Sequence, residues 1–92
     1  MEILWRRRAL DGLEHAREYI AEHNPAAAGR VFTAILSAVG RLAHHPSLGR
    51  PGRVVDTREL VVTGTPYVVV YTVIYDRVHV LAVQHGAQKW PR

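Results

Sequence analysis

Cysteine is absent from the 92 residues, and with it go disulfides, thiolate metal sites and a cysteine nucleophile. Serine is confined to Ser37 and Ser47, neither set in a nucleophile-elbow sequence, so covalent serine catalysis has no support. A Gly-rich phosphate loop is missing too. Gly49 and Gly52 flank Arg50 and Pro51, and no Lys-Ser or Lys-Thr follows them. His44 and His45 are adjacent and point in different directions, with no further histidine or carboxylate at a compelling ligand spacing, so neither a metal nor a cofactor is expected. No apolar run is long enough to cross a bilayer. In Met1-Glu2-Ile3-Leu4-Trp5-Arg6-Arg7-Arg8 the positive charge follows the apolar residues instead of preceding them, the reverse of a secretory leader. The expectation is a cytoplasmic protein without a membrane partner.

What is present is ordinary globular material, 48% hydrophobic and 22% charged, of a length that makes one domain over residues 1–92. The net charge of +4 is unevenly spread. Asp11, Glu14, Glu18 and Glu22 dominate residues 9–24, whereas Arg41, Arg50, Arg53 and Arg58, with His44 and His45, dominate residues 41–58. Such a basic region suits an anionic partner, nucleic acid or acidic polypeptide, and equally describes a solvated surface.

The richest apolar stretch is Pro66 to Tyr75, five β-branched residues interleaved with Tyr67, Tyr71 and Tyr75 and relieved only by Thr72. It reads as a central strand apolar on both faces, which needs cover on each. Helices supply one cover, and a partner is expected on the other. Glu2 to Trp5 reads as a short strand. Leu10, Leu13, Ala16, Arg17 and Ile20 then recur at helical spacing, with a charged stripe opposite, and Gly12 weakens that helix by roughly 1 kcal/mol relative to Ala. Asn24-Pro25 starts a second helix as N-cap and first residue, carried by Val31, Ile35, Val39 and Leu42. Pro46 to Arg53 is loop, Arg58 to Val62 a strand, Thr63 to Pro66 a turn, and Val78 to Gln84 the last strand. The expected fold is α+β in the order β-α-α-β-β-β, an antiparallel sheet against a helical hairpin.

The residues left with chemistry are Arg50, Arg53, Arg58, Glu59, His85, Gln88, Lys89 and Trp90. Arg58, Glu59 and His85, if they reach one sheet edge, suffice for general acid-base cleavage of RNA. An Arg-Glu ion pair fixing the sheet edge explains the same residues without catalysis.

Asn24-Pro25-Ala26-Ala27-Ala28, Gly49-Arg50-Pro51-Gly52-Arg53, Thr57-Arg58-Glu59-Leu60-Val61-Val62, Pro66-Tyr67-Val68-Val69-Val70-Tyr71 and the run from Val83 through His85 to Trp90-Pro91, in this order and spacing, resemble the RelE/ParE superfamily of toxins from bacterial type II toxin-antitoxin modules. The resemblance spans nearly the whole chain and implies the same β-α-α-β-β-β fold. It implies a cognate antitoxin as partner, contact with operator DNA only through that antitoxin, and one of two actions. RelE-like members cleave messenger RNA on the ribosome, and ParE-like members block DNA gyrase without catalysing a reaction. In many of the ribonucleases the central strand carries an arginine three residues before its final tyrosine. Aligning that tyrosine with Tyr71 puts Val68 in the arginine's place, and the ending from His85 to Trp90 is of the ParE kind. The resemblance therefore implies a binding inhibitor of gyrase, with Arg50, Arg53, Arg58, His85, Gln88 and Trp90 as candidate contacts with target or antitoxin. The alternative is a ribosome-dependent endoribonuclease using Arg58, Glu59 and His85.

Overall fold

A computed structural model of the chain describes residues 1–86. Its elements are β1 (Glu2–Trp5), α1 (Arg7–His23), α2 (Pro25–Arg41), β2 (Arg50–Pro51), β3 (Arg58–Val61), β4 (Tyr67–Ile74) and β5 (Arg77–His85). The five strands form one sheet in the order β1-β5-β4-β3-β2, so the most apolar strand is also the middle one. No helix among the described residues is long and apolar enough to cross a membrane.

The α+β class and the helical hairpin agree with the sequence reading, and two details differ. Arg50–Pro51, expected as loop, pairs antiparallel with Arg58 and Glu59 as an additional edge strand. The sheet is also mixed, because β1 runs parallel to β5, Glu2 to Trp5 lying beside Arg77 to Val80. The hairpin of helices separates β1 from the antiparallel meander β3-β4-β5. A chain that leaves β1, crosses one face as helices and returns to the far side of the sheet is free to close in parallel.

Alternation sets the two faces of β4. Tyr67, Val69 and Tyr71 belong to the buried cluster with the helices, as do Val78, Val80 and Val83 of β5. Between Val70 and Tyr71 the partner steps from Ala82 to Val80 and leaves Leu81 as a bulge, which keeps Val80 and Val83 on the same face. Val70 faces the other way and is still fully buried, paired with Glu59 and Ala82. Much of the back cover comes from the chain itself. Thr72 Oγ1 donates to the Asp56 carbonyl at 2.6 Å, and the Arg53 amide donates to Glu59 Oε2 at 3.0 Å, so residues 53–56 fold over this side. On this back face Val70 is buried, Val68 and Thr72 are half-buried, and Ile74 at the end of the strand is exposed.

The helices bury a narrower stripe than the spacing suggested. In α1 the buried residues are Ala9, Leu13 and Ala16, while Leu10 and Arg17 are exposed, a shift of one residue at the start of the stripe. The shift has a packing cause. Ala9, Gly12 and Ala16 are small, and α1 sits so close to β5 that a Cβ on Gly12 would collide with the Val83 carbonyl oxygen. In α2, Ala27, Val31, Ile35, Ala38 and Val39 are buried, followed by Leu42. Asn24 takes the N-cap position and Pro25 the first turn as expected, but the Asn24 side chain makes no capping hydrogen bond.

Gly12→Ala should destabilise the protein by about 1–3 kcal/mol in urea denaturation, although alanine is the better helix former, because backbone must move to admit the methyl group.

Candidate functional site

The basic loop between α2 and β3 is fastened to the sheet from both faces. On the helix side, Tyr71 is fully buried and its hydroxyl donates to the Pro46 carbonyl at 2.7 Å while accepting from the Gly49 amide at 2.8 Å. Arg58, on the same side as Tyr71, donates through Nη1 to the Gly49 carbonyl at 2.7 Å and more weakly to that of Ser47 at 3.4 Å. On the opposite side, Glu59 is 5% exposed and is the one charged residue in the described core. Its carboxylate accepts from the Arg53 amide at 3.0 Å and from Arg50 Nη2 at 3.4 Å. Buried charge is tolerated only when paired and hydrogen-bonded, and here both oxygens are engaged. Within the loop, the Gly52 amide donates to the Thr57 carbonyl at 2.8 Å, and Thr57 Oγ1 donates to the Val54 carbonyl at 2.6 Å. The loop is thus held at four side chains, Tyr71, Thr72, Arg58 and Glu59, and turns Arg50, Arg53 and Val55 outward.

A separate cleft of about 500 Å³ lies between the outer stripe of α1, with Arg8, Asp11, His15 and Tyr19, and the far ends of β4 and β5, with Tyr67, Gln84 and His85. The Tyr67 and His85 rings meet edge to face with centroids 5.7 Å apart. Burial raises the Tyr67 phenol above the ordinary tyrosine value, and repulsion between the two phenolates when Tyr19 ionises adds to the rise.

These positions divide the three residues of the ribonuclease alternative. Arg58 pairs with Tyr71 and His85 with Tyr67, four residues apart along β4 and on strands to either side of it. Strand geometry puts their Cα atoms roughly 15 Å apart. Glu59 pairs with Val70 and so faces away from both. The expectation that Glu59 and His85 reach a common edge is therefore corrected: strand alternation sends them to opposite faces. The ion pair that fixes the sheet edge exists, formed by Arg50 and not Arg58 with Glu59. Gln88 and Trp90 lie outside the described residues.

A family model described as "ParE toxin of type II toxin-antitoxin system, parDE" matches residues 3–90. The chain belongs to this ParE toxin family. Curated relatives agree. The protein described as "Putative toxin Y4kP" of Sinorhizobium fredii is 44% identical over 90 residues, covering 98% of this chain and 93% of that protein. "Toxin RelE2" of Caulobacter vibrioides is 37% identical over 87 residues, covering 95% and 97%. Among solved structures, a chain from "Chromosomal ParDE TA system from P. aeruginosa" superposes with a TM-score of 0.83 at 22% identity, over 92% of this chain and 95% of that one, and shares the fold.

In this ParE-family toxin, the fixing role of two side chains escaped the sequence reading. Tyr71 reads there as core and Thr72 as the polar relief of an apolar strand. Their bonds join positions 16–25 residues apart, which no local spacing announces. The only sequence signal was the isolated threonine in an otherwise apolar run.

Tyr71→Phe should cost about 1–3 kcal/mol by leaving the Gly49 amide without its acceptor, and should speed hydrogen exchange across residues 46–53 more than in α1. Tyr67 gives a pH signature. Its folded pKa is raised, so the stability tied to the neutral phenol is intact below about pH 10 and is lost as pH rises through the folded pKa. In urea titrations at about pH 9 to 11, Tyr67→Phe should flatten that alkaline decline.

Proposed function

We propose that this toxin arrests growth by binding a protein target, DNA gyrase, and that it is not a ribonuclease. The observation that carries this reading is the separation of Glu59 from His85 and Arg58, with the Arg58 guanidinium and the Tyr71 hydroxyl both engaged by loop backbone. General acid-base cleavage needs its proton-transfer groups within hydrogen-bond reach of one phosphate. Val68, where a catalytic arginine would stand, offers neither charge nor donor, and it pairs with Gln84 on the face away from His85.

A cognate antitoxin neutralises the toxin in this reading. Its segment enters the cleft beside α1, where Tyr19 supplies exposed apolar surface on the helix and His15 and His85 supply polar groups. In this reading the toxin acts in the cytoplasm and meets operator DNA only through the antitoxin.

The test pairs a supercoiling assay on purified gyrase with a translation-coupled messenger-RNA cleavage assay. The expected result is loss of supercoiling at stoichiometric toxin, unchanged messenger RNA, and reversal of inhibition by the co-encoded antitoxin. Ribosome-dependent cleavage abolished by His85→Ala, with gyrase unaffected, would overturn the proposal and establish the ribonuclease.

A further inference from the structure

One end of the sheet is built to protrude. Val55 in the stapled loop and Tyr75 in the β4–β5 turn are 84% and 95% exposed, and Val73 and Ile74 are exposed beside them. Val55 adjoins Asp56, and Asp56, Thr57, Thr72, Val73, Ile74 and Tyr75 line one open hollow, so the two projecting side chains flank the same surface. Backbone strain is concentrated here as well. Tyr75 at φ 54° and Asp56 at φ 66° are the described non-glycine residues in the left-handed region. A bulky side chain in that region is unfavourable, and in a two-residue hairpin turn glycine, asparagine or aspartate is the ordinary choice. An aromatic ring held there and turned to solvent satisfies no packing requirement of the fold.

We infer that this end, with Tyr75 and Val55 as its anchors and Arg53 at its rim, is the surface that engages the toxin's folded protein target, and that the antitoxin binds elsewhere. The inference rests on the proposal that the toxin acts by binding a protein. Charge and shape select the occupant. Arg53, Asp56 and Asp76 are exposed at this end and make no ion pair among the described residues, so the apolar anchors are rimmed by charges of both signs that a folded partner can match with their opposites. A rigid loop and a strained turn carry little conformational entropy to lose, an advantage against a folded partner that cannot mould itself to them. A segment that orders as it binds gains more from a groove, and this chain has one beside α1 at the other end of β4. Nucleic acid fits less well, since the projecting residues at this end are mainly aliphatic and a single aromatic ring provides no stacking row.

The test uses the full chain and two surface variants, Tyr75→Gly and Val55→Asp, read by growth arrest on induction, by gyrase supercoiling and by affinity for the co-encoded antitoxin. Tyr75→Gly relieves the left-handed strain, so its Tm should equal or exceed that of the wild type while growth arrest is lost and half-inhibition of gyrase needs about tenfold more toxin or greater. Val55→Asp should lose activity to a similar degree at unchanged Tm, and both should keep antitoxin affinity within about twofold. A merely structural role would move stability and activity together. Undiminished arrest by both variants overturns the inference, as does a parallel loss of antitoxin affinity or the finding that they abolish ribosome-dependent RNA cleavage. If wild-type toxin leaves gyrase untouched while the variants still lose arrest and RNA stays intact, the gyrase assignment falls and the target-binding surface stands.

Discussion

A strand that is apolar on both faces has to be covered on both, and in this small protein that requirement governs nearly everything else. The helical hairpin meets it on one side with α1 and α2 packed against Tyr67, Val69 and Tyr71. On the other side the described residues contain no second layer of helices. The chain instead brings the loop after α2 round the sheet edge, so that a polypeptide segment without regular structure protects Val70. A loop placed over a sheet carries backbone polar groups that must be satisfied. That need explains why polar side chains sit in and beside the core: Glu59 and Thr72 on the back, Tyr71 and Arg58 on the front.

The same residues therefore appear in two lights. Arginine, glutamate, tyrosine and histidine within one small domain are the ingredients of phosphate-ester chemistry, and a sequence alone presents them as a set. In the folded chain Arg58, Glu59 and Tyr71 spend their hydrogen-bonding capacity on the 46–53 loop. Membership of the ParE toxin family is consistent with a scaffold whose polar groups organise a surface.

The sequence disclosed the fold through periodicity and punctuation. The double apolar strand, Pro25 at a helix start and the Pro-Gly loop located most elements within a residue or two, because those signals are local. It did not disclose β2, since two residues of strand containing Pro51 look like loop until a neighbour pairs with them. Nor did it disclose the parallel placement of β1, which depends on where the helices deliver the chain and not on anything in Glu2–Trp5. The candidate site was legible only as a list of residue types. An Arg-Glu ion pair at the sheet edge was legible, but which arginine makes it was not, since Arg50, Arg53 and Arg58 all lie near Glu59 in sequence and the fold selects Arg50. Adjacent residues on a strand point to opposite faces, so Arg58 could not fill that role.

The parallel junction of β1 with β5 also has a consequence in time. Ile3 pairs with Val78, and the Arg6 amide donates to the Val80 carbonyl, so β1 cannot be paired until β5 has been made. The helical hairpin and the β3–β4 pairing can form early from local contacts, while β1 waits for β5. The sheet is therefore closed by its most distant pairing, and β1 takes its place only once β5 exists to receive it.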